Sequence, residues 1–272
     1  MTRRIHFISG LPRAGSTLLA AVLRQNPRFH AAMTSPVAWL TFTLRPEMSA
    51  PAQFASAFDD DRRRAMLRGL FDAYYAGIER EVIFDTNRVW TGNLALLADL
   101  HPQARVICCV REVNWIIDSI ERLVQANPLQ TARIFPADDG KTVFSRVERL
   151  MHPEIGLIGA AWSNLRQAWF GEHADRLLLV SYEGFVQDPR GAIDAIYRAL
   201  GEPSFAHDCN AVSYDAAEYD AELGMPGLHR VRPRIERATR APIIPPEIFK
   251  KFASMAFWKT PHERPCGPSI IC

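Results

Sequence analysis

The run Gly10-Leu11-Pro12-Arg13-Ala14-Gly15-Ser16-Thr17-Leu18 gathers the residue types that grip an anion. Two glycines permit a tight turn, Ser16 and Thr17 bring hydroxyl donors, and Arg13 brings a cation. The run follows the apolar stretch Ile5 to Ile8 and leads into a helix-like stretch from Ser16 to Gln25. In that setting backbone N–H groups and the helix dipole converge on negative charge. The spacing matches the nucleotide-phosphate pattern G-x-x-x-x-G-K-[ST], except that Ser16 takes the lysine position and Arg13 is the only cation. A plain strand-to-helix turn also uses glycine. Arg, Ser and Thr aimed at one place favour the anion reading.

A second cation stands where a metal-binding acid would be expected. The apolar strand Val106-Ile107-Cys108-Cys109-Val110 ends in Arg111, and Ser119 follows eight residues on in a helix-like run. Arginine at the carboxyl end of a parallel strand lies where open α/β sheets bind ligands, and its fork suits phosphate. A salt bridge to Glu112 is the competing role for Arg111. Two anion sites at adjacent strand ends, with no evident magnesium ligand, fit a phosphosulfate better than ATP.

The elements that must position these residues alternate. Strand-like runs at 5–8, 82–84, 105–110 and 177–180 interleave with helix-like runs at 16–25, 62–80, 92–100, 113–126 and 189–200. Alternation of this kind predicts an α/β fold, a P-loop-like parallel sheet flanked by helices. Residues 127–155 lack clear periodicity and are expected to form a lid or substrate wall. Residues 202–245, rich in Pro, Gly and Arg, read as a long functional loop. The chain's 272 residues fit one large domain or two small ones. With 48% hydrophobic and 23% charged residues it is not a disordered chain. The net charge of +2 gives no global field for nucleic acid or membrane, so anion binding must come from local clusters. The five cysteines, two of them adjacent in an apolar strand, argue against a disulfide framework, and none has zinc spacing with a partner. The apolar stretch at 5–8 is too short for a signal peptide. A reduced, cytoplasmic protein without a metal is expected.

Pro12-Arg13-Ala14-Gly15-Ser16-Thr17-Leu18 resembles the 5′-phosphosulfate loop of sulfotransferases that use 3′-phosphoadenosine 5′-phosphosulfate (PAPS). Arginine in place of the commoner lysine is most similar to tyrosylprotein sulfotransferases and their bacterial relatives. Arg111 and Ser119 resemble the family's 3′-phosphate pair. Val180-Ser181-Tyr182-Glu183-Gly184-Phe185 resembles a late family segment whose tyrosine lies near the nucleotide. The resemblance covers about residues 5–200. It implies one sulfotransferase domain over 1–272, with PAPS as co-substrate held by residues 13–18, Arg111, Ser119 and Tyr182. A late basic loop, about 225–245, is then expected to cover the nucleotide. In it Arg232-Pro233 resembles the family's cation-proline step, Arg230 and Arg232 are candidates for the 3′-phosphate or adenine, and Arg240 for a phosphate.

The pattern departs from the family at the base. Ala31 to Pro36 holds no carboxylate, Thr86 replaces a lysine, and Asn87 falls where cytosolic relatives keep a histidine. Asp85, placed at a strand's carboxyl end, is therefore the candidate base, and Arg88 the candidate replacement cation. His229, the basic loop's only group titrating near neutrality, is counted with Arg230, Arg232 and Arg240 among the candidate nucleotide-binding residues. Five arginines within 229–240 suit an acidic acceptor. The expected partner is a hydroxyl-bearing acceptor, in the first place a tyrosine in an acidic peptide, with a small phenol, sugar or lipid alcohol as the alternative. A second copy in a homodimer is the other partner considered. A nucleotide kinase and a non-catalytic nucleotide-binding protein are the readings from other classes. The tryptophans 90, 115, 162, 169 and 258 read as core, one of them a possible adenine platform.

Overall fold

The computed structural model describes residues 3–130, 132–135, 141–260 and 269–271. Cys266, Cys272 and parts of the 127–155 segment lie outside the described residues. In chain order the elements are β1 (Arg4–Gly10), α1 (Ser16–Leu23), β2 (Phe29–Ala31), α2 (Val37–Glu47), α3 (Asp60–Tyr74), β3 (Val82–Thr86) and α4 (Leu94–Leu100). They continue with β4 (Val106–Val110), α5 (Val113–Ala126), α6 (Val143–Met151), α7 (Gly159–Phe170), β5 (Leu177–Ser181), α8 (Tyr182–Gln187) and α9 (Pro189–Leu200). The last are α10 (Ala217–Glu222), α11 (Pro246–Lys251) and β6 (Ser269–Ile271).

The described strands form one parallel sheet in the order β2-β3-β1-β4-β5-β6. β3 and β4 are buried along their whole length, as expected for strands covered on both faces by helices. β1 lies between β3 and β4, so the chain crosses from one side of β1 to the other. A crevice opens at such a switch point, outside the carboxyl ends of the strands. The loop after β1 and Arg111 after β4 both emerge there.

Local chemistry sets the helix ends. Asp188 caps α9 by accepting the Gly191 N–H at 3.0 Å, Pro189 opens the first turn, and Gly201 closes it at φ 68°. Ser181 likewise accepts the Gly184 N–H at the start of α8. α1 is different. Its N-cap is Gly15 at φ 92°, and no side chain caps it, so its first N–H groups are open to a ligand.

Several elements differ from the sequence-based expectation. The helix expected over 62–80 runs from Asp60 to Tyr74, because Asp59 caps it by accepting the Arg62 N–H. A 3-10 turn over Arg88–Asn93 precedes α4. β2, β6, α2, α7, α8, α10 and α11 lie outside the elements that the sequence patterns predict. The unpatterned 127–155 region contains α6, held by a capping box between Thr142 and Ser145.

Candidate active site

A cavity of about 670 Å³ opens at the switch point, a size typical of small-molecule sites. The anion loop forms one wall. Gly10 has φ 112°, and a Cβ there would lie 2.2 Å from the Cys109 carbonyl oxygen. Only glycine lets β1 end this close to β4, where Leu11 N–H donates to that same carbonyl at 2.8 Å. At Gly15 a Cβ would meet the Tyr182 ring at 3.0 Å. Gly15, Ser16, Thr17 and Leu18 line the cavity, whereas Ala14 is buried beneath the loop.

Arg13 sits at φ 58°, the only described non-glycine residue with positive φ, a conformation uncommon for such residues. Two bonds hold it. Its Nε donates to Ser119 Oγ at 3.2 Å, and its carbonyl accepts from Arg111 Nη1 at 3.2 Å. The two residues expected to form the second anion site thus also brace the first. Burial, and then the neighbouring Arg111 guanidinium, lower the Arg13 pKa to about 10.

Arg111 lies over the Tyr182 ring, 4.2 Å from its centre. The competing salt bridge to Glu112 does not form; Glu112 pairs with Lys259 instead. Its closest carboxylate is Glu183, at 3.7 Å, and its buried Nε has no hydrogen-bond acceptor. Such a donor is costly to leave unmatched, and an anion in the cavity would supply the acceptor.

Arg88 opens the turn after β3. Ser9 Oγ donates to its carbonyl at 3.0 Å and accepts from the Thr91 hydroxyl and N–H. The Arg88 side chain is exposed to the cavity that it lines, and it forms no ion pair among the described residues. Burial lowers its pKa.

Asp85 requires a correction. β3 continues to Thr86, so Asp85 is not the strand's last residue. Side chains alternate along a strand. Asp85 pairs in register with Phe7 and Thr86 with Ile8, and it is Ile8 and Thr86 that line the cavity. Asp85 turns to the opposite face. It is fully buried and accepts from Ser35 Oγ at 2.6 Å, Tyr75 OH at 2.7 Å and Trp90 Nε1 at 2.7 Å. Burial raises its pKa against these bonds. Its expected place beside Arg88 in the crevice is not what the fold provides.

The basic loop closes the cavity from above. Two backbone bonds hold it, Val212 N–H to the Pro233 carbonyl at 2.8 Å and Ile235 N–H to the Cys209 carbonyl at 2.9 Å. Arg230, Arg232, Arg234 and Arg237 are exposed at its rim. Arg240 also lines the cavity, but its Nη2 lies 2.9 Å from the fully buried Asp118 carboxylate, which Arg122 and the Ile243 N–H share. His229 lines the cavity too, with its Nδ1 2.5 Å from Asp220. Trp115 is the one of the five tryptophans that reaches the cavity, and Ile134 and Leu157 add apolar wall from and beyond the unpatterned segment.

Sequence reasoning missed Ser9, Asp118 and Asp220, each of which positions a site residue. Ser9 was legible as the polar residue ending an apolar strand. Asp118 lay one residue before Ser119 in an amphipathic helix. Asp220 carried no pattern, because its partner follows nine residues later around the turn at Pro226-Gly227.

A parallel α/β sheet with a glycine-bounded loop at its switch point, faced by a second arginine from the adjoining strand, defines the class: a P-loop-like α/β fold. The chain belongs to the sulfotransferase family, whose pattern it matches over residues 6–207. Solved structures agree on the fold. A sulfotransferase domain from the curacin biosynthetic pathway is similar at TM-score 0.59 and 16% identity, covering 93% of this chain and 97% of that one. A sulfotransferase from Alicyclobacillus acidocaldarius is similar at TM-score 0.52 and 15% identity, covering 82% and 92%. A search of curated proteins finds no match. Among the described residues no group of His, Cys, Asp and Glu is arranged to hold a metal, and no helix is long and apolar enough to cross a membrane.

Proposed function

We propose that the protein transfers a sulfuryl group from PAPS to the hydroxyl of an anionic acceptor, with a tyrosine in an acidic peptide as the favoured case. The observation that carries this reading is the pair of anion cradles facing one cavity. They are the uncapped start of α1 with Arg13, and Arg111 with its unmatched Nε beside Ser119. The N–H groups of the 13–18 loop would hold the 5′-phosphosulfate. Arg111 and Ser119 would hold the 3′-phosphate, and Tyr182 and the 225–245 loop would enclose the nucleotide. Arg13 and Arg88 would stabilise charge that grows on the bridging and sulfuryl oxygens as sulfur moves to the acceptor.

The acceptor's charge is inferred from what remains. Among the described residues, eight arginines line the cavity (13, 88, 111, 230, 232, 234, 237 and 240) against two carboxylates, Glu183 and Glu236. A donor engages the inner ones, which leaves the exposed rim cations for the acceptor. Long-range attraction of this kind raises encounter rates and weakens with salt. Cytoplasmic residence is part of the proposal and is supported by the free thiols of Cys108, Cys109 and Cys209.

The test uses sulfur-labelled PAPS in the presence of a metal chelator, with acidic and neutral tyrosine peptides, a simple phenol and a sugar alcohol. Labelling of the acidic peptide ahead of the neutral one is expected. Transfer only from ATP with magnesium would favour a kinase instead. Binding of 3′-phosphoadenosine 5′-phosphate (PAP) without turnover of any acceptor would favour a non-catalytic nucleotide-binding protein.

A further inference from the structure

With Asp85 facing away, the site needs another group to take the acceptor's proton. We propose that His229, oriented by Asp220, is the general base of this reaction. The inference rests on the sulfuryl-transfer reading above.

Asp220 is 2% exposed and gives both carboxylate oxygens to one residue. Oδ2 accepts the His229 backbone N–H at 2.8 Å, and Oδ1 lies 2.5 Å from the ring Nδ1. The Met225 N–H donates to the Asp220 carbonyl at 3.0 Å, which ties the intervening turn back onto α10. The Tyr219 ring packs edge-on against the imidazole, 5.6 Å between centres. The ring is therefore fixed from two sides. A carboxylate on Nδ1 keeps the proton there and leaves the lone pair on Nε2. Nε2 has no partner among the described residues and is not sealed from solvent. Among the described residues His229 is also the only histidine lining the cavity. Of the two carboxylates there, Glu183 adjoins Arg111 at the nucleotide end, and Glu236 is exposed on the basic loop.

The charged groups that set the proton affinity of His229 are Asp220, Arg13 and Arg88. Burial lowers its pKa, Asp220 raises it, and the Arg13 and Arg88 guanidiniums lower it again, while the Tyr219 ring packs beside it. The free protein thus carries a neutral imidazole near pH 7, the form a base needs. A bound anionic donor would offset both guanidiniums and make Nε2 more basic when the acceptor is in place.

The step balances. The acceptor oxygen forms a bond to sulfur, and the bond from sulfur to the bridging oxygen breaks, with its electron pair going to the 5′-phosphate of PAP. The acceptor proton passes to Nε2, and Asp220 stabilises the imidazolium until solvent removes the proton.

The experiment compares wild type, His229→Gln and Asp220→Asn in the full chain. Asparagine keeps the shape but turns an N–H toward Nδ1, which forces the proton to Nε2 and removes the base. With an alcohol acceptor both variants should lose about 10²- to 10⁴-fold in kcat, and the loss should shrink as acceptor pKa falls. PAP affinity by calorimetry should be nearly unchanged. Nitrogen NMR should show the His229 proton on Nδ1 in wild type and on Nε2 in Asp220→Asn, with the wild-type pKa rising when PAP binds. A loss uniform across acceptors would overturn the proposal, as would a fall in PAP affinity matching the fall in kcat. Wild-type transfer with unimpaired His229→Gln refutes the base alone. Wild type that neither binds PAP nor transfers sulfur refutes the sulfuryl-transfer reading, and the proposal with it.

Discussion

Replacing Arg111 by alanine should separate the two phosphates of the nucleotide. Its side chain is 14% exposed, its Nε is buried without an acceptor, and Glu183 at 3.7 Å is too distant to satisfy it. A 3′-phosphate at this position would receive a charge-assisted fork. Its loss should weaken binding by about 1.5–3 kcal/mol, or roughly 10- to 150-fold. One complication follows from the geometry. Arg111 Nη1 also steadies the left-handed Arg13 through its carbonyl, so the variant could loosen the 5′ cradle as well. Calorimetry with two ligands distinguishes these effects. PAP carries both phosphates and adenosine 5′-monophosphate only one. Arg111→Ala should lose the full factor for PAP and only about twofold for the monophosphate, the scale on which independent sites usually deviate. Arg111→Lys keeps the charge without the fork and should fall between. Equal losses for both ligands would refute a 3′-phosphate role and make Arg111 a brace for Arg13.

Two further outcomes concern the buried polar groups. Asp85→Ala strands three buried donors (Ser35 Oγ, Tyr75 OH and Trp90 Nε1), and at about 1–3 kcal/mol each it should destabilise by roughly 3 kcal/mol or more in urea unfolding. Asp85→Asn retains an acceptor for Trp90 and should keep near-wild-type kcat; a large kcat loss with unchanged stability would return Asp85 to the chemistry. His6 and His101 are each pushed down to about 4, first by burial and then by neighbouring arginines. Their folded pKa lies below the unfolded value of about 6.5, so the unfolded chain binds more protons between the two. Stability should be full above about pH 6.5 and fall as pH drops toward 4. Urea midpoints measured across this window check it, and a flat profile would contradict it.

What could be read in advance follows the strength of local signals. The anion loop, the β4 strand with Arg111 and the Tyr182 segment each combine a buried strand with an abrupt change to polar residues, and all three meet at one cavity. Asp85 shows the limit. Ending β3 at Phe84 rather than Thr86 places the carboxylate in the crevice on paper, whereas the alternation of side chains sends it to the Trp90 face. β2 and β6 have three residues each, too few for a period. α10 has six residues in a stretch dominated by loop composition, so the helix that presents Asp220 left no periodic trace. Its pairing with His229 exists only once the turn at Pro226-Gly227 has folded back.

The distribution of acids explains which arginines remain available. Asp118 is fully buried and pairs with both Arg240 and Arg122 while accepting the Ile243 N–H. Three partners on one carboxylate anchor the far end of the basic loop to α5. Arg240 accordingly acts first as a structural tie, which changes the weight of its expected phosphate role. Asp220 does the same for the near end through His229. Arg13 and Arg88 have no such carboxylate within ion-pair distance among the described residues; Arg13 is half-buried, and Arg88 is exposed to the cavity. Burying a guanidinium without a counter-charge is unfavourable, and the lowered pKa of each registers that tension. Arginine tolerates it where lysine would more readily surrender its proton, because its reference pKa lies well above that of lysine. A lysine held in the Arg13 environment would lose part of its charge near neutral pH. The arginine in this loop therefore supplies full positive charge to an incoming anion even in a site that disfavours cations.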